Sequence, residues 1–308
     1  MGNDSPVRVG TVASPTMLRS SHSERAALVS QVLDSGIDHL FIADHVSFIN
    51  GTGMDGLINA ATLTALDARL KVCVGVYLLA LRHPVIVARQ LATLSESAPG
   101  ALILGVGVGG EDRNEFLMCG IDPATRGRRT DECLHVLEQL LTGERVDHSG
   151  EFFSFEGASI RPAPRSPIPI LVGGRVEAAL HRAARYGDGW LAVWVSPTRF
   201  SKAIGQINAA AQGHGRPVPT QHGLQVWAGI DEDRDRARTR LASGMESFYR
   251  VPFERFEKYS PYGSARDIAD FLLPYRDAGC RVFNIMPVAA TDSAGIDSVA
   301  AIGERLKR

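Results

Sequence analysis

Cysteine is scarce in this sequence, and the cysteines present are not arranged for chemistry. Four occur in 308 residues, at Cys73, Cys119, Cys133 and Cys280, and no two of them form a CxxC pair. Disulfide-stapled folds and zinc ribbons need closely spaced cysteines. We therefore expect four reduced thiols that serve packing. There is also no HExxH motif and no paired Cys/His set, so the sequence predicts no metal site.

Long apolar runs and an excess of one charge are missing as well. No run approaches the roughly 20 residues that a membrane-spanning helix needs. The first ten residues lack the basic and apolar regions of a signal peptide, and Pro6 stands where a myristoylation signal has Ser or Thr. The formal net charge is only -1. These absences predict a cytoplasmic protein that binds neither nucleic acid nor a membrane.

What the sequence does have is a regular alternation of β-rich runs and amphipathic helices. This alternation predicts a parallel sheet wrapped by helices. Eight such units in about 300 residues fit a (β/α)8 TIM barrel of the α/β class better than an open sheet. The predicted strands are 7–12, 39–44, 71–79, 101–108, 169–174, 189–194, 224–230 and 281–288.

The chain is longer than a minimal barrel, which takes about 250 residues. We predict one domain over 1–308, with insertions after strand 4 and around strand 7 and helix 7. The first insertion is expected within 110–168, where 148–158 reads as a hairpin. The second is expected at 245–263, after a solvated helix that contains 231–248.

An acid and an imidazole, Asp44 and His45, follow the second predicted strand directly. Barrel enzymes carry their catalytic groups at the C-terminal ends of the strands. The pair therefore stands at the position expected for proton-transfer chemistry. The alternative is a histidine that is merely satisfied within its loop.

Glycines mark three further strands. Gly105, Gly107, Gly109 and Gly110 follow or end strand four, where they either let a tight barrel close or leave room for a flat ring or a phosphate. A Rossmann fingerprint is disfavoured, since it belongs after the first strand.

Two other positions interrupt the strands or follow them. Gly75 interrupts strand three and predicts a bulge. Gly173, Gly174 and Arg175 stand before a helix N-terminus, where amides and a guanidinium favour an anion, although a turn chosen for its geometry is the alternative.

Taken together, these motifs resemble the bacterial luciferase-like superfamily. The resemblance rests on "ADH" after strand two, "VGVYLLALRHPVIVARQLATL", "GALILGVGVGGEDRNEFLMCGIDPATRGRRTDE", and "PIPILVGG" followed by "AARYGDGW", and it covers about residues 7 to 200. Members are (β/α)8 barrels that bind FMN or the deazaflavin coenzyme F420 at the C-terminal face. The resemblance thus implies an enzyme with a flavin-like cofactor.

The resemblance implies roles for particular residues. Asp44 and His45 match an acid and a histidine beside the ring, with His45 as the proton donor or acceptor and Asp44 as its catalytic and cofactor-binding neighbour. Glu111 matches a second proton-handling acid. Gly75 and Val76 match a non-proline cis peptide that backs the ring.

Further cofactor-binding residues are implied by the same comparison. Val108 and Gly109 match a loop near the ring. Gly173, Gly174, Arg175 and Ser196 match the cradle for the phosphate and side chain of the cofactor. Family members usually pair as homodimers, so a homodimer is expected.

Two branches of the superfamily compete. "ADHV" favours the deazaflavin branch, whose reduced ring passes a hydride to an acceptor but reacts poorly with oxygen. We therefore expect an F420-dependent oxidoreductase acting on an organic substrate. An FMN-dependent monooxygenase is the alternative, and a non-catalytic flavin-binding barrel is a third. Ile49 replaces a tryptophan found in the sugar-phosphate dehydrogenases, which disfavours glucose 6-phosphate. Phe48, Met54, Trp194 and Tyr249 are candidate pocket walls.

Overall fold

The computed structural model describes residues 5–49, 51–110 and 112–308. Within these ranges eight parallel strands form a closed barrel, which confirms the predicted (β/α)8 architecture. The strands in chain order are β1 (Arg8–Val12), β2 (His39–Ile42), β3 (Val72–Leu78), β4 (Leu102–Gly107), β5 (Val146–Ser149), β6 (Ser154–Ala158), β7 (Ile170–Gly173), β8 (Gly189–Ala192), β9 (Gly223–Ile230), β10 (Tyr262–Gly263) and β11 (Val282–Val288). The barrel closes where β8 pairs with β9 and β11 pairs with β1.

Helices surround the barrel. They are α1 (Pro15–Arg19), α2 (His22–Asp34), α3 (Gly56–Thr64), α4 (Pro84–Ser97), α5 (Arg113–Met118), α6 (Arg126–Leu140), α7 (Glu177–Tyr186), α8 (Pro197–Gly213), α9 (Arg234–Tyr249), α10 (Ala265–Asp277) and α11 (Asp292–Lys307). Their starts follow ordinary capping rules: Ser21 and Glu24 form a capping box on α2, and Pro84 occupies the first turn of α4. In the described part of the chain, no helix is both long and apolar enough to cross a membrane.

The first insertion lies where the sequence indicates it, and the second overlaps the predicted segment but starts before it. After β4, α5 precedes the ring helix α6, and the predicted hairpin forms from β5 and β6. The second insertion begins earlier than residue 245, because α9 belongs to it. α9 packs on β9, β10 and β11, whereas α10 lies between α8 and α11 as the seventh ring helix. β9 extends beyond the end of β8. Only its first two residues, Gly223 and Leu224, pair with β8.

The interior has two apolar layers because side chains alternate along each strand. The larger layer lies between the strands and the helices. A smaller cluster fills the barrel itself, with Phe41, Cys73, Ile103, Leu171, Leu191 and Val282. Polar groups also lie within the barrel: His39 is fully buried, its Nε2 lies 2.7 Å from Asn284 Oδ1, and burial lowers its pKa to about 4. Val12, Val76 and Met286 are half-buried against this cluster and form the floor of the open end.

Candidate active site

The predicted site residues meet at one end of the barrel, because parallel strands bring their C-terminal ends together. Asp44 and His45 follow β2, Val108 and Gly109 follow β4, Gly174 and Arg175 follow β7, and Ser196 precedes α8. Gly75 and Val76 lie within β3. The prediction for Glu111 falls on a residue outside those that the structure describes.

Asp44 is buried and holds the loop after β2 to β3. Its carboxylate accepts N–H groups from Gly56 and Leu78, both at 2.9 Å, and a two-pronged ion pair from Arg82 at 2.6 and 2.8 Å. Burial raises the pKa of Asp44, and these four donors oppose the shift by stabilising the ion. For Arg82, burial disfavours the charge, but Asp44, Tyr77 and Asp55 together outweigh burial and raise the pKa. These contacts are those of a positioning residue, and the catalytic role of Asp44 stays a prediction.

His45 is held through one ring nitrogen and presents the other. Its Nδ1 lies 3.2 and 3.3 Å from the two carboxylate oxygens of Glu115. The ring also stacks on Phe48, with centroids 4.2 Å apart. A carboxylate at Nδ1 favours the tautomer with a proton on Nδ1, which leaves Nε2 as the acceptor. This is the arrangement of an oriented general base.

Glu115 is the functional residue that sequence reasoning missed. Its carboxylate is almost fully buried, and Oε1 also accepts the backbone N–H groups of Val46 at 2.7 Å and Ser47 at 3.1 Å. Burial favours the neutral acid, but the hydrogen bonds from His45, Ser47 and Val46 prevail and hold the pKa of Glu115 below its usual range. Glu115 thus fixes both the His45 ring and the loop that carries it.

The burial pattern of α5 explains why the sequence does not reveal Glu115 as a site residue. In this short helix the apolar Leu117 and Met118 are exposed, while the charged Glu115 points inward. A charged residue is expected on the exposed side of such a helix. The burial of Glu115 becomes recognisable only once the position of the loop that carries His45 is known.

The Gly75–Val76 peptide bond is cis, as the resemblance implies. Val76 lies against the neighbouring strands, and two glycines make room for it. A Cβ on Gly107 or Gly173 would lie 2.2 or 2.9 Å from a methyl carbon of Val76, whereas a Cβ on Gly105 would meet the Val74 carbonyl oxygen first. Close packing between strands therefore accounts for Gly105 and Gly107, and the suggestion that they leave space for a ring or phosphate stays a prediction.

Beside this peptide lies a buried polar atom without a partner. Gln225 Oε1 has no hydrogen bond to any described residue, and it lies 2.7 Å from the place where a Cβ on Gly75 would stand. An unpaired buried acceptor is costly. This acceptor is thus an unsatisfied polar group directly beside the cis peptide, and a glycine at 75 avoids crowding it.

The loops after β7 and β8 bring positive charge to two helix starts. Gly174 has φ +126°, and its carbonyl accepts Trp190 Nε1 at 2.7 Å. Ser196 caps α8 by accepting the N–H of Arg199, whose Nη2 donates to the carbonyl of Arg175 at 3.0 Å. Two exposed guanidiniums therefore stand beside the N-termini of α7 and α8, an arrangement that suits an anion.

Aromatic side chains form the opposite wall of the mouth. We call Phe48, Trp194, Trp227, Phe248, Tyr249 and Phe256 the aromatic arc. Ring centroids are 5.5 Å apart for Phe48 and Phe248, 4.8 Å for Phe248 and Tyr249, 5.0 Å for Tyr249 and Trp194, and 4.8 Å for Trp194 and Phe256. Trp227 Nε1 donates to the Tyr249 hydroxyl at 3.1 Å. Three of the four predicted wall residues belong to the arc, and the fourth, Met54, contributes a backbone carbonyl to His45.

A surface cavity of about 530 Å³ lies beside the mouth, between the loop at Ser47 and Gly51 and helix α5. It is open to solvent and is lined by none of the residues predicted to bind a cofactor. The barrel mouth therefore remains the candidate site.

Comparison with known proteins agrees with this geometry. A family model described as luciferase-like monooxygenase matches residues 8–277, which confirms the resemblance seen in the sequence. The chain is 31% identical over 241 residues to the F420-dependent glucose-6-phosphate dehydrogenase of Nakamurella multipartita, covering 75% of this chain and 70% of that protein.

Solved structures share the fold. An F420-dependent secondary alcohol dehydrogenase in complex with an F420-acetone adduct superposes with a TM-score of 0.84 at 20% identity, covering 98% of this chain and 99% of that one. Monooxygenase RslO1 from Streptomyces bottropensis superposes with a TM-score of 0.80 at 21% identity, covering 97% and 98%. At these identities the superpositions show the barrel and leave the chemistry to the site itself.

Proposed function

The chain belongs to the luciferase-like monooxygenase family, and we propose on that premise that it is an F420-dependent oxidoreductase. It transfers a hydride between the deazaflavin ring and an organic substrate. The F420-dependent glucose-6-phosphate dehydrogenase among its relatives supports this choice of cofactor.

The observation that carries the proposal is the contact between His45, which follows β2, and Glu115 on α5. Hydride transfer to or from an oxygen-bearing carbon requires a proton to move at that oxygen. His45 Nε2 accepts or returns this proton. Glu115, 3.2 Å from Nδ1, stabilises the ring when it is charged and keeps it oriented.

The residues of the mouth fit a deazaflavin. Gly75 and Val76 would back the ring, beside the unpaired acceptor Gln225 Oε1. Bound F420 would supply a ring carbon that takes or gives a hydride and reacts poorly with oxygen. Val108 and Gly109 would flank the ring. Gly173, Gly174, Arg175 and Ser196 would form the cradle for its phosphate.

Asp44 acts through the loop. Its ion pair with Arg82 and its two amide hydrogen bonds fix the backbone directly before His45. A fixed loop matters because a proton acceptor misplaced by about 1 Å can lose a factor of 10² in rate. The aromatic arc covers the other side of the mouth and keeps water from the reacting atoms.

The second candidate is an FMN-dependent monooxygenase, which needs oxygen as a substrate, whereas an F420-dependent oxidoreductase does not. The test is to incubate the purified protein with a panel of alcohols and ketones, once with F420 under anaerobic conditions and once with reduced FMN and oxygen. We expect the visible absorbance of F420 to change with turnover, and no oxygenated product to form from any substrate with FMN. Substrate-dependent oxygen consumption with FMN, and none of the F420 reaction, would overturn the proposal.

We also propose that the protein forms a homodimer. Ile58, Leu117 and Met118 lie on elements that follow β2 and β4, and each is about 60% exposed (62%, 59% and 62%). Exposed apolar groups of this size favour burial against a second chain. Sedimentation equilibrium should give twice the chain mass, and Leu117→Lys should shift the distribution towards monomer. A monomer for the unmodified protein contradicts the proposal.

A further inference from the structure

We propose that the aromatic arc binds the apolar ring of an uncharged alcohol or ketone, and that this ring-bearing compound is the substrate. The inference rests on the proposed function for the identity of the reaction. It adds the class of molecule on which the reaction acts.

The first step is the position of the arc. Phe48 stacks directly on His45, so the arc begins at the proposed proton carrier. Its other end is Trp194, whose ring lies 5.1 Å from the Arg175 guanidinium. The arc therefore runs from His45 to the edge of the phosphate cradle, and a molecule with its oxygen at His45 Nε2 has its body beside aromatic rings.

The second step is the exposure of the arc. Beneath the arc, Leu241, Met245 and Phe253 are fully buried and form the core of the second insertion. Trp227, Tyr249 and Phe256 pack on this core and are half-buried. Phe48 is buried, whereas Phe248 is 41% exposed although it touches Phe48, Trp227 and Tyr249. The core is thus complete without the exposed faces, which remain for contact with another molecule.

The third step is charge. None of the six arc side chains carries a formal charge. Two cations of the same insertion are already engaged: Arg238 pairs with Glu257 and Arg240 pairs with Asp231, both at 2.7 Å. Arg175, beside Trp194, belongs to the proposed phosphate cradle, so a phosphorylated or carboxylated body would lose its water along the rest of the arc without a matching group. A flat or saturated ring gains offset or edge contacts with the arc.

The reaction on such a compound balances. When the alcohol is oxidised, a hydride with its two electrons passes from the carbinol carbon to the deazaflavin. The hydroxyl proton passes to His45 Nε2, and the alcohol becomes a ketone. Reduction of the ketone is the reverse, with reduced deazaflavin as the hydride donor.

The test uses 1-(2-naphthyl)ethanol and glucose 6-phosphate as probes, each titrated into the purified full-length protein by calorimetry. We expect the naphthyl alcohol to bind and the sugar phosphate to bind at least 10-fold more weakly. Phe248→Ala should raise the Kd of the naphthyl alcohol about 5- to 10-fold, since an aromatic contact contributes roughly that factor. Phe155→Ala is the matched control, because Phe155 lies on hairpin strand β6, packed against His83 and His148.

Equal or tighter binding of glucose 6-phosphate overturns the inference. So does a Kd that is unchanged in Phe248→Ala, or that is raised equally in Phe155→Ala. A separate titration with F420 distinguishes the two proposals. If F420 does not bind but the Phe248-dependent affinity for the naphthyl alcohol is found, the proposed function fails and the apolar binding site stands.

Discussion

The two sides of the barrel mouth are held together by different interactions: hydrogen bonds and ion pairs on one side, and packed aromatic rings on the other. On the β2 to β4 side, buried carboxylates fix the backbone and the His45 ring through hydrogen bonds of 2.6 to 3.3 Å. On the β8 to β9 side, neutral rings pack at centroid distances near 5 Å. Directional bonds position individual atoms, whereas ring packing shapes a surface and tolerates small shifts. The polar side therefore suits chemistry and the aromatic side suits selection of the substrate.

The largest expected effect of breaking the polar side comes from His45 itself. His45→Gln keeps a side chain of similar size but removes the proton acceptor, so turnover should fall about 10²- to 10⁴-fold. Binding of F420 should change little, because the proposed phosphate cradle lies on other strands. Steady-state kinetics and a cofactor titration on the same sample measure both. Full turnover in the variant would return the non-catalytic interpretation of His45.

The Asp44–Arg82 pair tests whether the polar side also carries stability. Arg82→Met leaves a buried carboxylate without its partner, which should cost about 3 to 5 kcal/mol of unfolding free energy. The control is Arg69→Met, which breaks the exposed pair with Asp67 and should cost far less, because solvent screens such a pair. Urea denaturation compares the two. Equal losses of unfolding free energy in the two variants would mean that the buried ion pair of Asp44 contributes no more to stability than an exposed one.

Glu115→Gln separates positioning from chemistry. The amide retains the shape of the side chain but weakens the hold on His45 Nδ1, so kcat should fall about 10- to 100-fold with KM nearly unchanged. Glu96→Gln is a suitable control, since Glu96 pairs with Arg165 on the surface. A rise in KM alone would show that Glu115 shapes the pocket and does not orient the base.

The glycines of β4 give a smaller test. A Cβ on Gly107 would lie 2.2 Å from Val76 Cγ2, so Gly107→Ala should destabilise the fold by about 1 to 3 kcal/mol through overpacking. Val76→Ala in the same chain removes the clashing methyl groups and should restore part of that loss. Thermal unfolding of the single and double variants shows whether the two effects are coupled. Additive losses would mean that Gly107 serves something other than Val76.

The smallest expected effect is an acid dependence on the polar side. Because the folded pKa of Glu115 is lowered, its contribution to stability is complete above its usual value of 4.5 and is lost as the pH falls through the folded value. Unfolding free energy should therefore decline below about pH 4.5, and Glu115→Gln should decline less steeply. Denaturation at several pH values measures both slopes, and identical slopes would contradict this assignment.

The sequence predicts the barrel well because the barrel depends on local signals. Each strand is a short apolar run, each helix has a clear period, and parallel strands place His45, Val108 and Arg175 at one end without further information. The helical period of α9 does not reveal which strands it packs on, so its place in the insertion was not predicted.

The site is less visible from the sequence because its contacts join distant residues. Glu115 meets His45 across 70 positions, from a helix on which Leu117 and Met118 are exposed. Gly107 contacts Val76 on a neighbouring strand. Such pairs have no periodic signature. The resemblance to a family supplied the cis peptide at Gly75 and Val76 but neither of these contacts.

The central claim is that the barrel mouth holds a deazaflavin. The most direct measurement is a parallel titration of the purified apoprotein with F420 and with FMN, followed by ring fluorescence, in the unmodified chain and in Arg175→Gln. The account predicts tight binding of F420, much weaker binding of FMN, and loss of F420 affinity in the variant. Tighter binding of FMN than of F420 would contradict it.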